Sequence, residues 1–120
     1  MRFTDAQLVY LRSQMLGRLA TVGPDGGPQN NPVGFRVDDE HRILVGGRRM
    51  GATRKFRNVA RHPQVAFVVD DLASVNPWRP RMLEIRGTAE ALTDVEPFGP
   101  GYSREVIRIT AQKVFAFGLE

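Results

Sequence analysis

The chain has 120 residues, no cysteine, two histidines and a formal net charge of +4 at pH 7. This length is typical of a single domain with one hydrophobic core. Without cysteine, disulfides, thiolate nucleophiles and cysteine-ligated metals are excluded, and two histidines argue against a histidine-rich metal site. The basic surplus favours an anionic partner, which can be a nucleic acid, a membrane surface or a phosphorylated small molecule.

The first segment predicts a short helix and no targeting signal. Thr4, with Gln7 three residues later, forms a capping-box pattern, and Leu11 and Met15 follow at helical spacing. We therefore predict an amphipathic helix over residues 4–15. No apolar run approaches the ~20 residues of a membrane-spanning helix, and the start lacks the layout of a signal peptide, so we expect a cytoplasmic protein.

The rest of the chain alternates between strand patterns and turns, with one further helix. Basic residues on one face of residues 51–61 and apolar residues on another predict a helix that ends before Pro63. Strands are predicted over residues 17–22, 28–37, 42–46, 64–69, 81–92 (kinked at Gly87), 105–109 and 113–117, with loops over 70–80 and 97–101. Together, these predicted elements indicate one mainly β domain over residues 1–120, a small antiparallel barrel of six or seven strands.

The most unusual segment, residues 48–61, holds six basic residues and no acid. It opens the predicted helix, where free amides and the helix dipole favour a bound phosphate. Thr53 can add a hydroxyl donor, Arg54 can bind two oxygens in a fork, and Lys55 can supply a point charge. A second interpretation is a solvated basic face that is partly paired with acids elsewhere in the chain: Asp70, Asp71 and Asp94.

Two other segments carry candidate binding residues. Gln29, Asn30 and Asn31 are poor strand formers inside a predicted strand, and their amides suit the edge of a heteroaromatic ring. An edge strand that meets water explains them equally well. Trp78, between two prolines and two arginines, can stack on a ring, although packing at a barrel end or subunit interface is the commoner role.

The sequence carries no motif for catalysis by its own side chains. It has no Gly-x-Gly-x-x-Gly fingerprint, P-loop or Gly-x-Ser-x-Gly elbow. His62 is expected to meet the last carbonyls of the predicted helix, and His41 lies in a predicted turn. A turn at a strand end explains Asp70 and Asp71. We therefore expect neither a catalytic side chain nor a metal, and we assign the chemistry to a cofactor.

Segments spread in order over nearly the whole chain resemble the FMN-binding split β-barrel proteins related to pyridoxamine 5'-phosphate oxidase. They are GRLATV (17–22), GGPQ (26–29), PVGF (32–35), TRKFRNV (53–59), HPQVA (62–66), EIRGTAE (84–90) and VIRI (106–109). Within that superfamily, VDDLASV (69–75) followed by PWRPR (77–81) is most similar to the deazaflavin-dependent branch.

The resemblance implies an antiparallel split barrel that forms a homodimer, with one cofactor at each end of the subunit interface. It implies that Thr53, Arg54 and Lys55 hold the cofactor phosphate, and that Trp78 and Arg81 reach the site from the other subunit. The remaining residues that it implies around the ring are Gln29, Asn30, Asn31, Pro32 and Val33 along its edge, with Gly46, Gly47, Arg48 and Arg49 beneath it.

The function that the resemblance implies is hydride transfer from reduced coenzyme F420 to a small organic substrate. Open alternatives are an FMN or FAD oxidoreductase of the same fold and a non-catalytic cofactor-binding protein. A more remote one is a nucleic-acid-binding β-barrel that uses the basic patch with Trp78 and Phe56. Because the basic residues cluster at one helix start, we expect a small-molecule partner and neither nucleic acid nor membrane.

The substrate is not predicted, because the loops over 70–80 and 93–102 shape the pocket in this fold. One departure from the oxidase concerns the end of the sequence. The chain ends at Glu120, without the longer C-terminal segment that helps to bind the vitamin substrate there. Oxidation of pyridoxine phosphate is therefore not expected.

Overall fold

The computed structural model describes residues 2–119, and within them the chain forms seven antiparallel strands and two α-helices. In chain order the elements are helix α1 (Asp5–Ser13), strands β1 (Leu16–Val22), β2 (Pro28–Gly34), β3 (Arg36–Val37) and β4 (Ile43–Val45), a 3₁₀ helix (Met50–Ala52), helix α2 (Arg54–Arg61), and strands β5 (Gln64–Ser74), β6 (Arg79–Leu92) and β7 (Val106–Phe117). The predicted mainly β class is confirmed.

The sheet curls into a barrel because its two end strands are neighbours in the chain. The strand order is β2-β1-β5-β6-β7-β4-β3, yet only Phe35 separates the end of β2 from the start of β3. Consecutive Cα atoms lie about 3.8 Å apart, so the two edges of the sheet must approach each other. In the described part of the chain no backbone ladder joins these edges. The barrel is therefore split along this line, the β2–β3 seam, as the predicted split barrel requires.

The barrel interior is filled by alternate side chains of the strands. On β5 the buried residues are Val65, Phe67 and Val69, and their neighbours along the strand are more exposed. Gly17 on β1 makes room for the Phe67 ring, because a Cβ there would lie 2.2 Å from the ring carbon Cζ. Helix α1 covers one end of the core with the fully buried Leu11.

Several predicted boundaries are wrong, and paired charges explain the largest error. The predicted loop over 70–80 is a hairpin, because β5 extends to Ser74 and β6 begins at Arg79. Asp70 and Asp71 thus lie within β5, where Asp70 pairs with Arg18 of β1. The two predicted C-terminal strands form the single strand β7, and its register against β6 shifts beside Gly87, where a kink was predicted.

The helices are shorter than predicted. Helix α1 ends at Ser13, and the predicted helix over 51–61 consists of the 3₁₀ turn followed by α2, which begins at Arg54. The capping box of Thr4 and Gln7 is present as predicted. Neither α-helix among residues 2–119 is long and apolar enough to cross a membrane. The cytoplasmic location stays a prediction.

Candidate cofactor site

A groove of about 250 Å³ lies at the β2–β3 seam, between the end of β2, the segment after β4 and the start of α2. It brings together eight of the predicted site residues: Pro32, Val33, Gly46, Gly47, Arg48, Arg49, Thr53 and Lys55. It also includes Gly34 and Met50, which were not predicted. The signal for Gly34 was its place beside Pro32 and Val33, and no sequence signal points to the buried Met50.

Glycines give this groove its space. A Cβ at Gly34 would meet no atom within 4 Å, so this position opens onto empty space. At Gly46 a Cβ would lie 2.9 Å from a ring carbon of Phe98, so the missing side chain lets that ring pack against the backbone. The main chain is therefore open to a ligand at Gly34, whereas at Gly46 the Phe98 ring covers it.

The start of α2 presents free backbone donors to the groove. Thr53 caps the helix, since its Oγ1 accepts a hydrogen bond from the Phe56 N–H at 3.2 Å and donates to the Met50 carbonyl at 2.7 Å. Its hydroxyl proton is thus engaged within the chain. The groups left for an anion are the amides of Arg54 and Lys55, which have no intrahelical acceptor.

The basic cluster has no acidic partner among residues 2–119. This holds for all six of its members: Arg48, Arg49, Arg54, Lys55, Arg57 and Arg61. The acids considered as partners are paired elsewhere, Asp70 with Arg18, Asp71 with Arg81 and Asp94 with Arg104. The predicted partial pairing with these acids is therefore absent within the described residues, and the six cations are left to solvent or to a ligand.

The predicted amide side chains lie outside the groove lining. The Nδ2 of Asn58, a buried residue of α2, donates to Oε1 of Gln29 at 2.9 Å and to Oγ1 of Thr21 at 3.0 Å. This buried network fixes α2 against β1 and β2. Asn30 and Asn31 are exposed on the edge strand β2. Arg54 is also exposed and does not line the groove.

Trp78 and Arg81 lie on the β5–β6 hairpin, away from the groove of their own chain. Trp78 is 66% exposed. The Nε and Nη2 of Arg81 donate to the two carboxylate oxygens of Asp71 at 2.9 and 2.5 Å, and the Tyr10 hydroxyl donates to the same carboxylate at 2.9 Å. These three residues, the Asp71 clamp, hold α1 on the hairpin.

The Asp71 clamp shifts the pKa of all three of its members, and the hydrogen bond to Asp71 raises the pKa of Arg81 above its ordinary value. Hydrogen bonds from Arg81, supported by those from Tyr10 and Gln14, hold the pKa of Asp71 below its ordinary value. Burial, together with the hydrogen bond to Asp71, raises the pKa of Tyr10 to about 12. The carboxylate and the neutral phenol are thus the forms that the folded state favours.

We expect the free energy of unfolding to fall at both ends of the pH range. The contribution of Asp71 is present above its unfolded pKa of about 3.9 and is lost as the pH falls through its lower folded pKa. The contribution of Tyr10 is present below about pH 10 and is lost as the pH rises toward 12.

Urea unfolding at a series of pH values measures both effects. Asp71→Asn should flatten the acid limb and Tyr10→Phe the alkaline limb, whereas Asp94→Asn, an exposed control, should alter neither. Unchanged limbs in the first two variants would contradict the assignment.

Comparison with known proteins places the chain in a family. The chain belongs to the pyridoxamine 5'-phosphate oxidase family, whose sequence model matches residues 3–117. It is similar to a protein of Streptomyces rimosus named 5a,11a-dehydrotetracycline/5a,11a-dehydrooxytetracycline reductase, with 47% identity over 122 residues that cover 100% of this chain and 86% of the relative.

Two solved structures share the fold. One is named F420 reductase and has 27% identity, a TM-score of 0.65, and coverage of 84% of this chain and 89% of its own. The other, the conserved hypothetical protein Rv2991 from Mycobacterium tuberculosis, has 21% identity, a TM-score of 0.76, and coverage of 98% and 86%. The predicted superfamily is confirmed, and so is the predicted enzyme class: the chain is an oxidoreductase.

Proposed function

We propose that the chain transfers a hydride from reduced coenzyme F420 to a small organic substrate. The observation that carries this proposal is the cationic groove at the β2–β3 seam, whose Arg48, Arg49 and Lys55 have no acidic partner among the described residues. Supporting it, a reductase is 47% identical to this chain and an F420 reductase is 27% identical.

The groove fits the phosphate of such a cofactor. The Lys55 side chain and the free amides at the start of α2 are hydrogen-bond donors, and no carboxylate is among the groove-lining residues. A phosphate at a helix N-terminus uses this donor set, with Lys55 as a point charge and the arginines as planar forks. Gly34 leaves the main chain accessible beside it, because a Cβ at this position would meet no atom within 4 Å.

The protein's own residues bind and orient rather than transfer protons. When bound, the reduced deazaflavin supplies a hydride, and one proton completes the reduction of the substrate. The lining residues of the groove include no carboxylate, histidine or tyrosine, so the residues that hold the cofactor do not supply this proton. Positioning alone accounts for much of the rate in such a reaction.

A nucleic-acid partner is the less favoured reading of the same charge. Stacking on bases requires exposed aromatic rings beside the basic residues. Phe56 packs against the core, and Trp78 lies on the β5–β6 hairpin, outside the groove. FMN or FAD remains the second candidate for the groove, since either would present a phosphate to the same donors.

We expect F420 to bind more tightly than FMN and with a steeper salt dependence, because its tail adds negative charge. Exposed pairs are screened over about 10 Å at 0.1 M salt. Arg79 is the candidate for the tail, because it forms no ion pair within residues 2–119, whereas Arg81 is engaged by Asp71. Fluorescence titrations with both cofactors at low and high salt measure this. Tight FMN binding without F420 binding would show that FMN is the cofactor. Tight oligonucleotide binding without binding of either cofactor would contradict both cofactor assignments.

We also propose a symmetric dimer that completes the site. Val9, Trp78 and Phe117 are 71%, 66% and 59% exposed and line one surface depression formed by α1, the β5–β6 hairpin and the end of β7. Apolar patches of this kind mark protein interfaces. We expect the dimer to bury more than roughly 2,000 Å² and to bring Trp78 and Arg81 to the other subunit's groove. A monomer in light scattering at micromolar concentration, with cofactor affinity unchanged, would contradict the shared site.

A further inference from the structure

A second cavity, of about 660 Å³, adjoins the cofactor groove. Gly34, Gly46, Gly47 and Arg48 line both, so the two spaces share a wall along the β2–β3 seam. A molecule in this second cavity would lie directly beside a cofactor in the groove. That is the position a substrate for hydride transfer must take.

One wall of this cavity is a fixed pair of aromatic rings. Phe98 and Tyr102, from the segment between β6 and β7, have ring centroids 5.8 Å apart and planes inclined by 33°. Arg36 holds Phe98 in place: its Nη2 donates to the Phe98 carbonyl at 2.7 Å, and its guanidinium carbon lies 4.2 Å from the ring centroid. Because Gly46 has no side chain, the Phe98 ring can pack against its backbone. The wall is thus held by contacts with β3 and with the end of β4.

The cavity also exposes aliphatic surface. Met15 and Leu16, where the chain passes from α1 into β1, are 85% and 63% exposed and line the same space. Neighbouring apolar side chains that are this exposed mark a ligand-binding groove or an interface. A thioether adapts its shape to a flat ring, and aromatic walls favour stacked or edge contacts with one.

The charge of the cavity is positive. Its lining includes Arg36 and Arg48 but no aspartate or glutamate. Neither arginine forms an ion pair within residues 2–119. Arg36 donates only its Nη2 to Phe98, and the Arg48 side chain has no hydrogen-bond partner within residues 2–119. Both guanidinium groups therefore retain donors, which suit a ligand that combines a flat apolar body with an anionic oxygen.

We infer that this cavity is the substrate site, and that its substrates are flat, conjugated ring systems with an anionic oxygen such as a carboxylate, phenolate or enolate. This inference rests on the proposed function for the placement of the cofactor. It assigns Phe98 and Tyr102 to the ring and Arg36 to the anion, because Arg48 is already assigned to the cofactor phosphate. The segment between β6 and β7 thereby determines substrate specificity.

Calorimetric titration of the F420-loaded protein with 1-hydroxy-2-naphthoate tests the inference. Cyclohexanecarboxylate, an anion without a flat ring, and 2-methoxynaphthalene, a flat ring without charge, are the matched controls. We expect the naphthoate to bind at least about tenfold more tightly than either control, since a charged hydrogen bond contributes about 1.5–3 kcal/mol. Arg36→Gln and Phe98→Leu should each weaken naphthoate binding about tenfold, the Arg36 change through the lost charged hydrogen bond together with the lost contact that holds Phe98. Arg104→Gln, on the same segment but outside the cavity, should not.

Melting temperature and F420 affinity, measured on each variant, separate a local effect from a loss of fold. Equal binding of the probe and its controls, or unchanged binding in Arg36→Gln and Phe98→Leu, would overturn the inference. Displacement of the probe by F420 would assign the cavity to the cofactor ring, which overturns the inference and leaves the proposed function standing. Selective probe binding by a chain that does not bind F420 would overturn the proposed function and leave the cavity as a site for flat anions.

Discussion

Replacing Lys55 with alanine is expected to weaken F420 binding about tenfold to a hundredfold, since a charged hydrogen bond contributes about 1.5–3 kcal/mol. Lys55 lines the groove and has no ion pair among residues 2–119, so the loss falls on the ligand and not on the fold. Arg54→Ala should have an effect in the same direction but a smaller one, because Arg54 is exposed and lies outside the groove lining. Fluorescence titration measures both affinities.

Arg104→Ala is the control for a general loss of positive charge. Arg104 is exposed and pairs with Asp94 in a different segment of the chain. Its removal lowers the net charge by the same amount as the other two substitutions, without touching the groove. If all three variants bind F420 equally well, the assignment of the phosphate to the start of α2 is wrong.

Gly34→Leu is expected to weaken F420 binding about a hundredfold while the protein stays folded, since an overlap that cannot relax costs about 3 kcal/mol. A Cβ at Gly34 meets no atom within 4 Å, so the fold tolerates it. The rest of the leucine would fill the space shared by the groove and the second cavity. Titration gives the affinity, and thermal unfolding gives the stability.

Gly99→Leu provides a matched control for an added apolar side chain. A Cβ at Gly99 also meets nothing within 4 Å, and this residue lines neither the groove nor the second cavity. We expect its F420 affinity to equal that of the unaltered protein. Full affinity in Gly34→Leu would show that the ligand lies elsewhere, and a lowered melting temperature would show that the glycine serves the fold.

The parts of the fold that depend on local pattern were predictable from sequence. Alternating apolar residues indicated most of the strands, and the capping box indicated the start of α1. The closure of the sheet was not predictable in this way, because it depends on pairs such as Val45 with Ile107 that lie far apart in the chain. The hairpin over 70–80 was missed because Asp70 and Asp71 suggest a turn until their arginine partners on neighbouring strands are known.

The candidate site also combines residues that local sequence predicts with residues that only the tertiary structure reveals. The residues around the start of α2 were found because a helix start rich in cations is a local signal. Gln29 was not recognised as part of a structural network, because its partner Asn58 lies on another element. Gly34 was missed although it follows Pro32 and Val33, because the open space in front of this glycine is visible only in the tertiary structure.

The β2–β3 seam leaves backbone donors and acceptors unpaired on both edges of the barrel, and such edges recruit strands from other molecules. Two prolines in β2, Pro28 and Pro32, already make that edge a poor template. A ligand in the groove touches the end of β2 and the segment after β4, and so acts as a cross-link between the two halves of the opening. At a hundred times its dissociation constant, a ligand specific for the folded state stabilises it by about 2.7 kcal/mol. On the proposed function, cofactor supply would therefore also set the stability of the barrel and limit how often its edges meet those of another copy.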